Sequence, residues 1–303
     1  MDVLDGRSVA ITGAGAGLGR AYALAAAHAG ARVVIADIDR HAAENVVEEI
    51  LAQGGTALAV SADISAAGDG ARIVDAAVQA YGGLDGFVAN AGLLSPGALL
   101  EQSEDTIRRT LAVNVDGTIS TVVAAARAMH EGGSIVVIVS GSLLGSENLA
   151  LYGTTKAAAL GLVYGLAVEL EGTGIRITGL APRARTGMST QMGAAGEDKG
   201  AAPEGVAPVV TYLLSDASAA LHGHVLRFDG ERLGLFRPPR LTREITAGRW
   251  DATSIAAAIA GPLCDDVGAA LPGVAHHAGG GADDVLHIHT ALSGMCSGAE
   301  RAS

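Results

Sequence analysis

Tyr152 and Lys156 lie four positions apart in a stretch, 152–171, whose composition predicts a helix, so both side chains project from one face. An ammonium beside a phenol favours the phenolate and lowers the tyrosine pKa from its usual ~10. Such a pair offers a proton acceptor nearer neutral pH. The spacing alone recurs in surface pairs of many proteins, and here a second group gives it weight. Thr12-Gly13-Ala14-Gly15-Ala16-Gly17-Leu18-Gly19 joins the apolar run 8–11 to an Ala-rich stretch, 18–29. Glycines allow a tight turn and close backbone approach, and the helix behind them points free N–H groups at an anion. This suits a dinucleotide pyrophosphate. Asp37 closes the next apolar run, 18 residues after Gly19, with Ile38 beside it. A carboxylate there accepts both hydroxyls of a ribose and repels a 2′-phosphate. No Lys or Arg lies within 14–18 or directly after Asp37, so the reading favours NAD over NADP.

The elements that would position these groups alternate along the chain. Buried strands are predicted at 8–11, 32–36, 57–61, 86–89, 135–140, 175–180 and 225–228. Helices are predicted at 18–29, 40–54, 68–81, 103–129, 152–171 and 203–214. Short apolar strands alternating with helices imply a parallel sheet covered on both faces, an α/β doubly wound Rossmann-type domain. Residues 189–205 break the pattern and read as a mobile segment. We expect a catalytic domain over 1–240. Residues 241–303 read as a partly flexible extension with one helical piece near 253–259.

Composition narrows the partners. The 303 residues carry a formal net charge of −12 and no Lys/Arg-rich run, which argues against nucleic acid and anionic membranes. Aromatic residues make up only 3%, too few for a base-stacking surface. The apolar stretch 157–170 is short for a bilayer span. No signal sequence is visible, and Cys264 and Cys296 read as free thiols, so a cytoplasmic protein is expected. His276, His277, His287 and His289 flank glycines and acids and read as a solvated tail. No metal is expected.

Taken in order, Thr12-Gly13-x-x-x-Gly17-x-Gly19, Asp63-Ile64, Asn90-Ala91-Gly92, Asn114, a serine ending the fifth strand and Tyr152-x-x-x-Lys156 resemble the short-chain dehydrogenase/reductase family over about residues 5–230. The resemblance implies an NAD-dependent oxidoreductase acting on a secondary alcohol or ketone. It implies that Gly13, Gly17, Leu18, Gly19, Asp37, Ile38, Asp63, Ile64, Asn90, Ala91, Gly92, Pro182 and Thr186 line the cofactor, together with Tyr152 and Lys156. Asp63 and Ile64 would meet the adenine, and Pro182 and Thr186 the nicotinamide carboxamide. Tyr152 would be the acid/base and Lys156 would bind the ribose and lower the Tyr152 pKa. Asn114 would hold a water linked to Lys156. Ser140 is preferred over Ser142 as the serine that polarises the substrate oxygen. The family association implies a homotetramer. Ala89, Val137 and Arg183 depart from common family residues, and Arg183 replaces a usual glycine beside the nicotinamide.

The segment 181–188 is similar to bacterial members near the dehydrogenase part of multifunctional β-oxidation enzymes. It suggests hydroxyacyl, steroid-like or alicyclic alcohols as substrates. Two other readings stand beside this one. A non-catalytic NAD-binding regulator would have no need of Asn114, Ser140, Tyr152 and Lys156 together. A nucleotide-sugar epimerase of the extended class would carry a differently spaced glycine loop.

Overall fold

The apolar runs assemble into one sheet. Its strands are β1 (Ser8–Thr12), β2 (Arg32–Asp37), β3 (Thr56–Ser61), β4 (Gly86–Ala89), β5 (Gly133–Ile138), β6 (Ile175–Pro182), β7 (Val225–Phe228) and β8 (Leu233–Leu235), in spatial order β3-β2-β1-β4-β5-β6-β7-β8. β1 to β7 pair in parallel, and β8 adds an antiparallel edge to β7. β8 was not expected, because three residues, Leu-Gly-Leu, carry no strand signal until a neighbour pairs with them. The computed structural model describes residues 3–187, 200–239, 241, 243–261 and 263. The segment expected to be mobile lies largely outside these residues. So do both cysteines and the four tail histidines.

The helices are α1 (Gly17–His28), α2 (Arg40–Ala52), α3 (Asp69–Tyr81), α4 (Glu104–Leu111), α5 (Thr118–Ala128), α6 (Ala150–Glu169), α7 (Pro208–Leu214) and α8 (Ala252–Ala260). Successive strand residues face opposite ways, so each strand feeds two cores. Val9, Ile11, Val33, Ile35 and Ile138 pack with Tyr22 of α1, Val46 of α2 and Leu213 of α7. Ala10, Val34, Phe87, Ile135 and Ile177 pack with Ile73 of α3, Val122 of α5 and Val163 of α6. Strand order reverses between β1 and β4, and the crevice beyond their carboxyl ends is where such sheets take ligands.

Three elements differ from the sequence expectation. The helix expected over 103–129 is broken at Ala112–Gly117 by a π-type turn, which inserts one residue into the helical ladder. Gly117 makes room there: a Cβ would come within 2.8 Å of Ile64 Cγ1. The fifth strand ends at Ile138 rather than 140, leaving Ser140 on the loop beyond it. The last helix is split, with Pro203–Val206 a separate turn before α7.

α6 spans 20 residues, and among the described residues it is the one helix long and apolar enough to cross a bilayer. The length argument made for 157–170 therefore does not hold for the whole helix. Its inner face, with Leu151, Leu160, Val163 and Ala167, is instead buried in the fold.

The chain divides into two compact units, one of residues 1–143 and 147–236, the other of 144–146 and 237–303. Every site residue discussed below belongs to the first. In the second, α8 begins with a capping box in which Asp251 and Ser254 exchange side-chain-to-backbone bonds.

Candidate active site

The glycine loop is fixed by its neighbours. Gly13 and Gly17 have φ of +62° and +55°, the left-handed region that glycine adopts without strain. The Asn90 amide donates to the carbonyls of Thr12 and Gly13, at 3.0 Å each. The Thr12 hydroxyl accepts the N–H groups of Asn90 and Ala91, at 3.0 and 3.1 Å. A Cβ on Gly13 would meet Ala91 Cα at 2.8 Å. The glycine loop and Asn90-Ala91-Gly92 therefore form one interlocked turn at the switch point.

α1 opens with no acidic residue in its first turn and no side-chain cap, so its leading N–H groups face outward unclaimed by a side chain. That donor set fits a pyrophosphate. Asp37 ends β2 with Oδ2 accepting Gly15 N–H at 2.8 Å and Oδ1 accepting Asp39 N–H at 3.0 Å. Gly15 joins the set here, since a Cβ on it would lie 2.9 Å from Asp37 Oδ2. Ile38 beside it is 65% exposed, while Ile64 is buried. The Asp63 carboxylate accepts the Ser65 N–H and hydroxyl at 3.0 and 2.7 Å, which hold it below the usual carboxylate range. Leu18 packs partly into the core, and Thr186 approaches the Gly17 side of the loop. Pro182 closes β6, and Arg183 N–H donates to Phe228 O at 2.9 Å.

A second cluster forms where β5 meets α6. The Lys156 ammonium is buried and donates to Ile138 O at 2.8 Å. It sits 5.6 Å from the Tyr152 ring centre. Ser140 lies beside the Tyr152 phenol and draws its pKa down. Asn114, buried in the π-type turn, accepts Leu93 N–H at 2.7 Å and donates to Leu93 O and Thr155 Oγ1 at 2.8 and 3.1 Å. Gly92 lies between Asn114 and Lys156: a Cβ there would be 3.3 Å from Asn114 Oδ1 and 3.8 Å from Lys156 Nζ. The structure thus brings Asn114, Ser140, Tyr152 and Lys156 to one end of the sheet.

A protein-family model described as short chain dehydrogenase matches residues 7–199. The chain belongs to the short-chain dehydrogenase/reductase family. It is 35% identical to an L-rhamnose 1-dehydrogenase (NAD(P)(+)) of Azotobacter vinelandii, across 77% of this chain and 98% of that relative. It is 33% identical to a hydroxyacyl-CoA dehydrogenase of Mycobacterium tuberculosis, across 84% of this chain and 88% of the relative. A crystal structure of a short chain dehydrogenase from Mycobacterium avium superposes with a TM-score of 0.77 at 32% identity, covering 87% of this chain and 95% of that one. As a family member the chain is an NAD(P)-dependent oxidoreductase acting on CH–OH groups.

Within this dehydrogenase fold the electrostatics differ from the sequence expectation at Tyr152. Burial pushes the phenol up to about 12, and Ser140 only partly offsets it. The same burial brings Lys156 down to about 8. An ammonium four residues away lowers a phenol only when its effect exceeds the desolvation of both groups. Here desolvation dominates. Sequence reasoning also missed Thr155, which ties Asn114 to the Tyr152 carbonyl (Oγ1 to O, 2.8 Å). It passed over Gly153 too, where a Cβ would come within 2.6 Å of Ser142 O. Their position inside the Tyr-x-x-x-Lys spacing was the available signal.

Proposed function

We propose that this dehydrogenase interconverts a secondary alcohol and a ketone using Tyr152 as acid/base, with Ser140, Lys156 and Asn114 as its partners. The observation that carries the reading is the clustering of Tyr152 with the buried Lys156, 5.6 Å from its ring centre, and with Ser140, which draws the phenol pKa down. A bound nicotinamide supplies or takes up the hydride. In the reducing direction Tyr152 gives its proton to the substrate oxygen, and the Ser140 hydroxyl donates a hydrogen bond to that oxygen as charge develops on it. In oxidation Tyr152 takes the hydroxyl proton back. Lys156, bonded to Ile138 O at 2.8 Å, has further N–H donors for a ribose hydroxyl. Asn114 holds the loop beyond β4 in place at Leu93, and through Thr155 it holds the first turn of α6.

The candidate substrates are hydroxyacyl thioesters, steroid-like and alicyclic alcohols, to which the relatives add L-rhamnose. We keep residues 1–240 as the catalytic domain and 241–303 as an extension. A non-catalytic regulator would bind dinucleotide but form no NADH with any of these alcohols, and that assay separates the two readings.

NAD is the preferred cofactor in this proposal. The Asp37 carboxylate is fixed by two backbone N–H groups at the end of β2, where a 2′-phosphate would meet a like charge. Titration is expected to show NAD binding at least ~10-fold tighter than NADP, about 1.4 kcal/mol. Asp37→Ala should weaken NAD and narrow the gap. Equal affinity of the wild-type chain for both cofactors contradicts the assignment.

The family association is proposed to be a homotetramer built through α5 and α6. Ile119 of α5 and Val168 of α6 are 41% and 79% exposed, and Gly161 and Gly165 leave open space on α6. Light scattering at micromolar concentration is expected to report four subunits. A monomer would refute it.

A further inference from the structure

Ser140 does not stand alone on its loop. Its Oγ accepts two hydrogen bonds, one from Ser142 N–H at 3.2 Å and one from the Ser142 hydroxyl at 3.0 Å. A serine hydroxyl has two acceptor lone pairs and one proton. Both lone pairs are therefore taken by one residue, and only the proton of Ser140 remains to be directed. Ser142 is buried at 9% exposure, so solvent offers its hydroxyl few competing partners. Ser142 is also held against the helix that carries the acid/base. Gly153, next to Tyr152, packs so closely on the Ser142 carbonyl that a Cβ would lie 2.6 Å from it.

We infer that Ser142 is a positioning residue for the proposed reaction: by filling both acceptor sites of Ser140 it forces that hydroxyl to act as a donor, its one proton turned to the Tyr152 oxygen in the free site and to the substrate oxygen once substrate is bound. The inference rests on the reading of Ser140 and Tyr152 given above. A hydroxyl free to rotate could instead accept the Tyr152 proton, which would stabilise the neutral phenol and leave the substrate oxygen without a donor. With Ser142 in place that orientation has no lone pair to use. Ser140 accordingly pulls the Tyr152 pKa downward, as a donor to a phenolate does. The chain order also fits. Ser140 and Ser142 are separated by Gly141, a residue whose added Cβ would meet nothing within 4 Å and which leaves the turn unobstructed.

The test combines a double-mutant cycle with a spectroscopic readout of Tyr152. Wild type, Ser142→Ala, Ser142→Thr, Ser140→Ala and the Ser140→Ala/Ser142→Ala double variant are compared as full chains saturated with NAD. Tyrosine labelled with carbon-13 at Cζ reports ionisation directly, and the Tyr152 signal is the one lost in Tyr152→Phe. Ser142→Ala is expected to move the Tyr152 titration upward, and Ser142→Thr, which keeps the hydroxyl, to restore it. With any alcohol the chain oxidises, Ser142→Ala should lower kcat about five-fold with KM little changed, the size of one neutral hydrogen bond. In the Ser140→Ala background the Ser142 change should add nothing, because the residue acts through Ser140. Ser142→Cys, a weak donor of similar size, serves if the alanine variant does not fold. If Ser142→Ala titrates and turns over like wild type while Ser140→Ala does not, the positioning role is wrong and the Ser140 reading survives. If Ser140→Ala is itself like wild type, both fall.

Discussion

Tyr152→Phe is expected to abolish turnover and leave dinucleotide binding largely intact. The substitution removes one hydroxyl from a side chain whose ring stays packed, so the proton donor is lost without a change of shape. General acid/base groups contribute about 10²–10⁴-fold, and a loss at the upper end is expected where no other group can take the proton. Lys156→Ala should behave differently. Its ammonium is buried, bonded to Ile138 O at 2.8 Å and close to the Tyr152 ring, so its removal should cost turnover and dinucleotide affinity together.

The pH dependence follows from the same geometry. Tyr152, pushed up to about 12, stays protonated across the neutral range and is ready to donate a proton in reduction. Oxidation needs the phenolate, whose fraction grows about ten-fold per pH unit below the pKa. Lys156, brought down to about 8, loses its charge above that point and then supports the phenolate less. The oxidation rate should therefore climb steeply toward about pH 8 and more slowly beyond it, while the reduction rate falls as Lys156 deprotonates. Initial rates of NADH formation and consumption across pH measure both limbs. An oxidation rate independent of pH, or a Tyr152→Phe variant that still turns over, would remove Tyr152 from the role.

Much of this arrangement was legible in the chain, for identifiable reasons. The interiors of β1, β2, β4 and β5 are buried on both faces, so their sequences hold continuous apolar runs that mark strands without ambiguity. The glycine loop, Asp37, Asn90 and the Tyr152/Lys156 pair are defined by residue type and spacing, both visible in a linear string. What escaped depends on three-dimensional neighbours. The π-type turn at Ala112–Gly117 leaves the apolar periodicity of its flanks intact, and it becomes evident only through the bonds of Asn114 and the contact of Gly117 with Ile64. Desolvation of Tyr152 depends on what covers it, and no spacing rule contains that information. The donation from Ser142 to Ser140 is a matter of rotamers. Reading a serine as either the active residue or a bystander left no place for one that orients the other.

The glycine loop provides the second large effect, and it separates two reasons for a glycine. Gly19 is helical, so no unusual φ demands it. Its need is spatial: a Cβ would lie 2.0 Å from Gly13 O and 2.6 Å from Asn90 Nδ2. The first neighbour is backbone. It cannot retreat, because Gly13 is itself against Ala91 Cα, where a Cβ would meet 2.8 Å. The second is the amide that ties the loop to the end of β4. Gly19→Ala must therefore displace the Gly13 turn and break the Asn90 bonds. Overpacking costs about 1–3 kcal/mol and each of the two lost neutral hydrogen bonds about 1, so a destabilisation of roughly 3–5 kcal/mol is expected. Because the displaced turn is the proposed pyrophosphate cradle, dinucleotide affinity should fall by about 100-fold or more, close to 3 kcal/mol. Gly17→Ala is the contrast. Its Cβ would find nothing nearer than the Thr186 methyl at 3.7 Å, so only the φ of +55° is strained. That conformation costs a non-glycine residue about 1–2 kcal/mol. Denaturant unfolding and dinucleotide titration of the two variants side by side should rank Gly19→Ala as the more damaged on both measures. The reverse ranking would mean that backbone strain at Gly17, and not the contact between α1 and the Gly13 turn, governs how this loop is held.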